Sequence, residues 1–153
     1  MNTRFELGFG PHLTLDLSDC NVDRLSDPAH ILRLLNDLPE QLGMRKIAEP
    51  YIIDYPPQEH TFDKGGVTAF VLIAESHISI HTFKEQRYAF VDIFSCKPFD
   101  VDKAVAYFVD HLGARKHSVR LFDRGLEFPK EIPAVSKFLK HERTDITPNP
   151  PKY

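Results

Sequence analysis

Only two segments of this chain carry apolar residues at the three- and four-residue spacing of a helix, and strand-like runs follow one another between them. The first has Ile31, Leu34, Leu35, Leu38 and Leu42 on one face, behind the helix-start signal Ser26-Asp27-Pro28, with Gly43 as its stop and Pro39 straining its last turn. The second has Val101, Ala104, Val105, Phe108 and Leu112, capped by Asp100 and ended by Gly113. Elsewhere the periodicity is that of strands. In 12–17, Leu13, Leu15 and Leu17 alternate with His12, Thr14 and Asp16. Residues 47–55 read as an extended segment that Pro50 pushes toward an edge or a bend. Residues 67–74 are apolar enough for a strand buried on both faces. Further strands fall at 78–82, 88–94 and 117–122, with 56–66 a polar loop and 83–87 a hairpin connection. The predicted order is β-α-β-β-β-β-α-β. Helices that interrupt runs of strands, rather than following every strand, predict an α+β fold, a two-layer sandwich with a mostly antiparallel sheet and helices on one face.

A chain of 153 residues is expected to form one domain over its whole length, 1–153, burying roughly two-thirds of its unfolded surface. With 42% hydrophobic and 27% charged residues and a net charge of -3, nothing in its electrostatics points to nucleic acid. No apolar run approaches the roughly 20 residues needed to cross a bilayer, and residues 1–7 lack the apolar core of a signal peptide. No membrane partner is therefore expected. Cys20 and Cys96 cannot build a disulfide framework, so a cytoplasmic location is the simplest expectation, with Cys96 available for chemistry. Prolines recur from Pro129 onward, and 129–153 reads as a loose tail.

The run from Ala74 to Thr82, Ala-Glu-Ser-His-Ile-Ser-Ile-His-Thr, sets Glu75, Ser76, His77, Ser79 and His81 into a strand pattern. Buried polar atoms are costly unless paired or used. A solvated strand face is the plainest reading. A zinc site is excluded on spacing, because His77 and His81 on a strand lie about 13 Å apart, whereas one zinc ion holds each nitrogen at about 2 Å. A serine hydrolase would lack a Gly-x-Ser-x-Gly elbow. Ser76 and His81 differ in parity and face opposite sides of a continuous strand, so any cooperation between them calls for a bend in the chain near Glu75-Ser76.

The order Gly66-Val67-Thr68, Glu75-Ser76-His77, Ile80-His81-Thr82, Glu85, Asp92, Cys96, without gaps from Phe62 to Cys96, resembles the small prokaryotic S-adenosylmethionine decarboxylases. His12-Leu13 and Asp123-Arg124-Gly125 extend the resemblance across most of 9–128. The resemblance implies a proenzyme that cleaves itself between Glu75 and Ser76, into a β chain of 1–75 and an α chain of 76–153. Ser76 becomes a pyruvoyl group that forms a Schiff base with the substrate, so neither pyridoxal phosphate nor a metal is expected. It further implies that His81 is the processing base, Thr68 the processing hydroxyl and Cys96 the proton donor to the substrate's α-carbon. Phe62 would stack on the adenine, Glu85 would accept from the ribose hydroxyls, and Asp16 would lie near the substrate. Small chains of the family pair as homodimers to complete their sites, and the product feeds spermidine synthesis.

Two positions depart from the family pattern. Thr68 replaces a serine, and Phe83-Lys84-Glu85-Gln86-Arg87 replaces a loop that commonly reads Trp-Pro-Glu. Lys84 and Arg87 are either solvated charges or changes to the pocket. A pyruvoyl-dependent arginine or ornithine decarboxylase is thus the alternative substrate reading. A non-catalytic paralogue is the second alternative, opposed by retention of Ser76, His81 and Cys96. Cys96 read alone is a small buried hydrophobe.

Overall fold

The computed structural model describes residues 8–129. They form one six-stranded, wholly antiparallel sheet with its helices on one face. The strands are β1 (Gly10–Ser18), β2 (Tyr51–Tyr55), β3 (Gly66–Ile73), β4 (Ser76–Phe83), β5 (Tyr88–Ser95) and β6 (Lys116–Arg124), in the spatial order β2-β3-β4-β5-β1-β6. The helices are α1 (Val22–Ser26), α2 (Pro28–Gln41) and α3 (Val101–Leu112). The α+β sandwich expected from the sequence is the one observed. No helix among the described residues is long and apolar enough to cross a membrane.

Strand parity builds the core. Leu13, Leu15 and Leu17 are fully buried and point toward the helices, as do Val67, Val71, Ile78, Ile80, Val91 and Ile93. α2 contributes Ile31, Leu34, Leu35 and Leu38, and α3 contributes Ala104, Phe108 and Leu112. Each such leucine or phenylalanine taken out of water contributes about 1.5–3 kcal/mol. The Asp27 and Asp100 side chains cap α2 and α3 by accepting from the Ala29 and Lys103 N–H groups, as their sequence positions predict. Gly113 ends α3 at φ +61°, a left-handed cap that glycine adopts without strain. The Tyr107 hydroxyl donates to the Leu34 carbonyl at 3.2 Å, tying α3 to α2.

Two expectations need correction. α1 was not expected; five residues are too few to show an amphipathic stripe, and Asn21 caps them by accepting from Arg24 N–H. β3 is not buried on both faces. Val67, Ala69, Val71 and Ile73 are covered by helices, but Phe70 and Leu72 stand 41% and 43% exposed on the opposite side. They belong to a broad apolar surface with Tyr51, Ile53, Phe90 and Phe122, which no helix among the described residues covers. The expected tail, apart from Pro129, lies outside the described residues.

Candidate active site

The open sheet face and its two ends carry the residues singled out from the sequence. β3 and β4 are joined by a two-residue turn, Ala74-Glu75, with Ile73 paired to Ser76 across it. Ser76 opens β4 at φ +146°, a backbone conformation that L residues avoid. A strained torsion of this kind stores roughly 1–3 kcal/mol and persists only when its surroundings impose it.

The surroundings are visible. β5 ends at Ser95, which pairs with Ser76, so the next residue, Cys96, falls beside the turn. Its N–H donates to the Glu75 carbonyl at 2.8 Å. The Ala74 N–H donates to the Arg45 carbonyl, also at 2.8 Å. The Glu75 carboxylate is only 3% exposed and is held twice: one oxygen accepts from the Arg45 N–H at 3.0 Å, and the other pairs with Lys97 Nζ at 3.2 Å. Ser95 Oγ accepts from the Lys97 N–H. On the far side, a Cβ at Gly10 would lie 2.0 Å from the Ser95 carbonyl oxygen, so only glycine lets β1 close over this segment. Cys96 is half-buried. Cys20 differs: it is fully buried in the core, and desolvation pushes its thiol up to about 11.

A second group sits at the other end of the same hairpin. Thr68 pairs with His81, and Nδ1 of His81 is 3.3 Å from the Thr68 hydroxyl oxygen. Both border a cleft of about 370 Å³ with Ile53, Tyr55, Asp63 and Phe83. A Cβ at Gly66 would overlap the Thr82 carbonyl, so the strands approach more closely here than any side chain permits. The Gln86 amide donates to the Phe62 carbonyl at 3.2 Å, joining the loop of Phe62 to the turn of Glu85. Phe62 is 78% exposed, and Glu85 is exposed. Asp16 lies in the same cross-strand row as His81, with Phe90 between them. At the usual strand spacing that is about 10 Å away.

The sequence-derived residues therefore fall into two sets. Glu75, Ser76 and Cys96 occupy one end; Thr68, His81, Phe62, Glu85 and Asp16 occupy the other. The bend expected at the cleavage site is there, as the Ala74-Glu75 turn and the positive φ of Ser76, but it does not bring Ser76 to His81: past it β4 runs unbroken from Ser76 to Phe83, paired on both sides. Five residues of strand put Ser76 and His81 about 17 Å apart, with opposite parity. Between the two ends, His12 Nε2 lies 3.1 Å from Asp92 and the Arg124 guanidinium stacks 4.2 Å above Phe94. His77 lies alongside; burial, and then the nearby His12, hold its imidazole below the ordinary histidine value. Sequence reasoning missed Arg45 and Lys97, whose contacts with Glu75 appear only when distant loops meet.

The two-layer sandwich defines a fold class that includes an adenosylmethionine decarboxylase of known structure. The crystal structure of that enzyme from Aquifex aeolicus superposes with a TM-score of 0.64 at 29% identity, over 77% of this chain and 92% of that one. Residues 11–125 match the family model for S-adenosylmethionine decarboxylase, and the chain belongs to that family of carboxy-lyases. The S-adenosylmethionine decarboxylase proenzyme of Clostridium botulinum (strain Loch Maree / Type A3) is 37% identical over 117 residues, 76% of this chain and 94% of the relative. The proenzyme of that name from Parasynechococcus marenigrum (strain WH8102) is 37% identical over 116 residues, 75% and 84% of the two chains.

Proposed function

We propose that this chain is a self-cleaving proenzyme whose mature form decarboxylates S-adenosylmethionine in the cytoplasm, yielding the aminopropyl donor for spermidine. The observation that carries the reading is the Glu75-Ser76 peptide: a serine at φ +146° follows a carbonyl already bound by the Cys96 N–H at 2.8 Å. The Ser76 hydroxyl bonds to the Glu75 carbonyl carbon, the C–N bond breaks, and the amine takes the proton, leaving an ester. The Cys96 N–H steadies the oxygen as charge develops on it. Release of strain at Ser76 offsets part of the cost of breaking a planar amide. A base then removes the Ser76 Cα proton and Glu75 leaves as a carboxylate. The remaining dehydroalanine takes up water, loses ammonia and becomes the pyruvoyl group.

His81 is that base, an imidazole nitrogen being a suitable proton acceptor. The Thr68 hydroxyl orients it. Because His81 lies about 17 Å along β4 from Ser76 in its own chain, we assign the task to His81 and Thr68 of the partner in a homodimer. A two-fold axis crossing the middle of β4 at right angles sets the Ser76 end of one copy against the His81 end of the other, and such dimers are the commonest assemblies. The apolar face around Phe70, Leu72 and Phe90, exposed among the described residues, supports this pairing. Phe62, Glu85 and Asp16 then meet the adenosyl and amino-acid parts of the substrate.

The residues fit the pyruvoyl group: its parent serine, a polarised preceding carbonyl and a thiol at the next position of the ladder lie together. When formed, the group supplies the carbonyl that engages the substrate amine and draws off the electrons released with carbon dioxide. The Cys96 thiol returns a proton to the α-carbon. The family match favours S-adenosylmethionine over arginine or ornithine.

The purified protein is expected to run as two fragments split at 75/76, and Ser76→Ala as one chain, by mass spectrometry. The mature form is expected to release labelled carbon dioxide from S-adenosylmethionine and not from arginine or ornithine. An unsplit wild-type chain after long incubation, or release only from an amino acid, overturns the reading.

A further inference from the structure

Glu75 carries a carboxylate that the cleavage chemistry does not consume, yet the fold buries it to 3% exposure. A buried charge is stable only when paired and hydrogen-bonded, and stranding it is costly. Here the partners come from two distant segments. The Arg45 N–H comes from the stretch after α2, and Lys97 Nζ comes from the stretch after β5. Lys97 directly follows Cys96, so one short segment grips Glu75 twice, its carbonyl through the Cys96 N–H and its carboxylate through the Lys97 ammonium. Ser95 Oγ accepts from the Lys97 N–H at 3.0 Å and fixes that segment in turn.

A two-residue turn has few constraints of its own. With its carbonyl held from one side and its carboxylate from two others, Glu75 cannot rotate about its Cα. The carbonyl then stays on its donor and in place for the Ser76 hydroxyl. We propose that Lys97 is a positioning residue for self-cleavage, acting through the Glu75 carboxylate to fix the 75–76 peptide in its reactive geometry. This inference rests on the self-cleavage reading and adds to it a residue that has no part in decarboxylation.

The test times the appearance of the 1–75 and 76–153 fragments after cell-free synthesis of the full chain. Misplacing a reacting group by about 1 Å costs about 100-fold in rate, so Lys97→Met is expected to split about 10- to 100-fold more slowly than wild type. Lys97→Arg, which keeps the charge, is expected to recover most of the rate. Decarboxylation per cleaved chain is expected to stay within about twofold of wild type in Lys97→Met, a difference below 0.5 kcal/mol in barrier. Splitting of Lys97→Met at the wild-type rate overturns the proposal. So does a fall in turnover per cleaved chain as large as the fall in splitting, because that marks general damage to the fold. If Lys97→Met shows no cooperative melt, Glu75→Gln decides. It keeps an acceptor for the Arg45 N–H but loses the ion pair, and is expected to split about tenfold more slowly; a wild-type rate overturns the proposal. Failure of the wild-type chain to split overturns the self-cleavage reading itself, and is distinct from each of these results.

Discussion

At the scale of single residues, the two cysteines show how position decides chemistry. Both are thiols outside any strong sequence motif of their own. Cys20 is sealed in the core, and burial holds its thiol protonated up to about 11. Cys96 is half-buried, one residue past the ladder partner of Ser76. We expect Cys96→Ala to split at 75/76, because its backbone N–H survives the substitution. Turnover per cleaved chain is expected to fall by about 100-fold or more, the usual worth of a positioned general acid. Full turnover in that variant, measured as carbon dioxide released per α chain, removes the proton-donor role. Ser76 was legible in the sequence as a polar residue out of place in a strand. A bend beside it was expected as well, but not what imposes its positive φ, the Ala74-Glu75 turn and the contacts Glu75 makes with Arg45, Cys96 and Lys97. Lys97 was invisible for a related reason: a lysine after a cysteine reads as a solvated charge until a buried carboxylate is brought to it.

At the scale of elements, the β3–β4 hairpin organises the site, and Thr82 anchors it to the helical layer. The Thr82 hydroxyl is buried, donates to the Leu25 carbonyl of α1 at 2.9 Å and accepts from the Val67 N–H at 2.7 Å. Thr82→Val keeps the shape and loses both bonds, leaving the Val67 N–H and the Leu25 carbonyl unsatisfied. A cost of about 1–3 kcal/mol is expected, read as a lower urea midpoint with an unchanged slope. An unchanged midpoint would show that Thr82 does not tie the layers together. The long elements were legible because their periodicity spans several turns or pleats. α2 and α3 were found with their caps, and the strands to within a few residues. α1 was not, since five residues make barely more than one turn. Two-face burial of β3 was inferred from unbroken apolarity, whereas in the single chain Phe70 and Leu72 face outward.

At the scale of the whole molecule, one hairpin carries the candidate site residues Ser76 and His81 at its opposite ends. If a homodimer joins them, defects in different halves complement. Ser76→Ala and His81→Ala are each expected to remain uncleaved when made alone. Made together, mixed dimers contain one intact site, formed by Ser76 of the His81→Ala chain and His81 of the Ser76→Ala chain. About half of the His81→Ala chains are then expected to split, the share that falls in mixed dimers at equal expression of a two-fold assembly. No splitting in the mixture places both groups in one chain and overturns the composite site. The sequence by itself determined the fold class and the family, because alternation, caps and the spacing from Phe62 to Cys96 are local and survive in a linear string. Only the tertiary structure decided which residues meet. Strand register brings Cys96 to Glu75 across twenty residues of chain, yet keeps His81 about 17 Å from Ser76 with only four positions between them, because an antiparallel ladder joins distant segments and holds near neighbours along one strand apart.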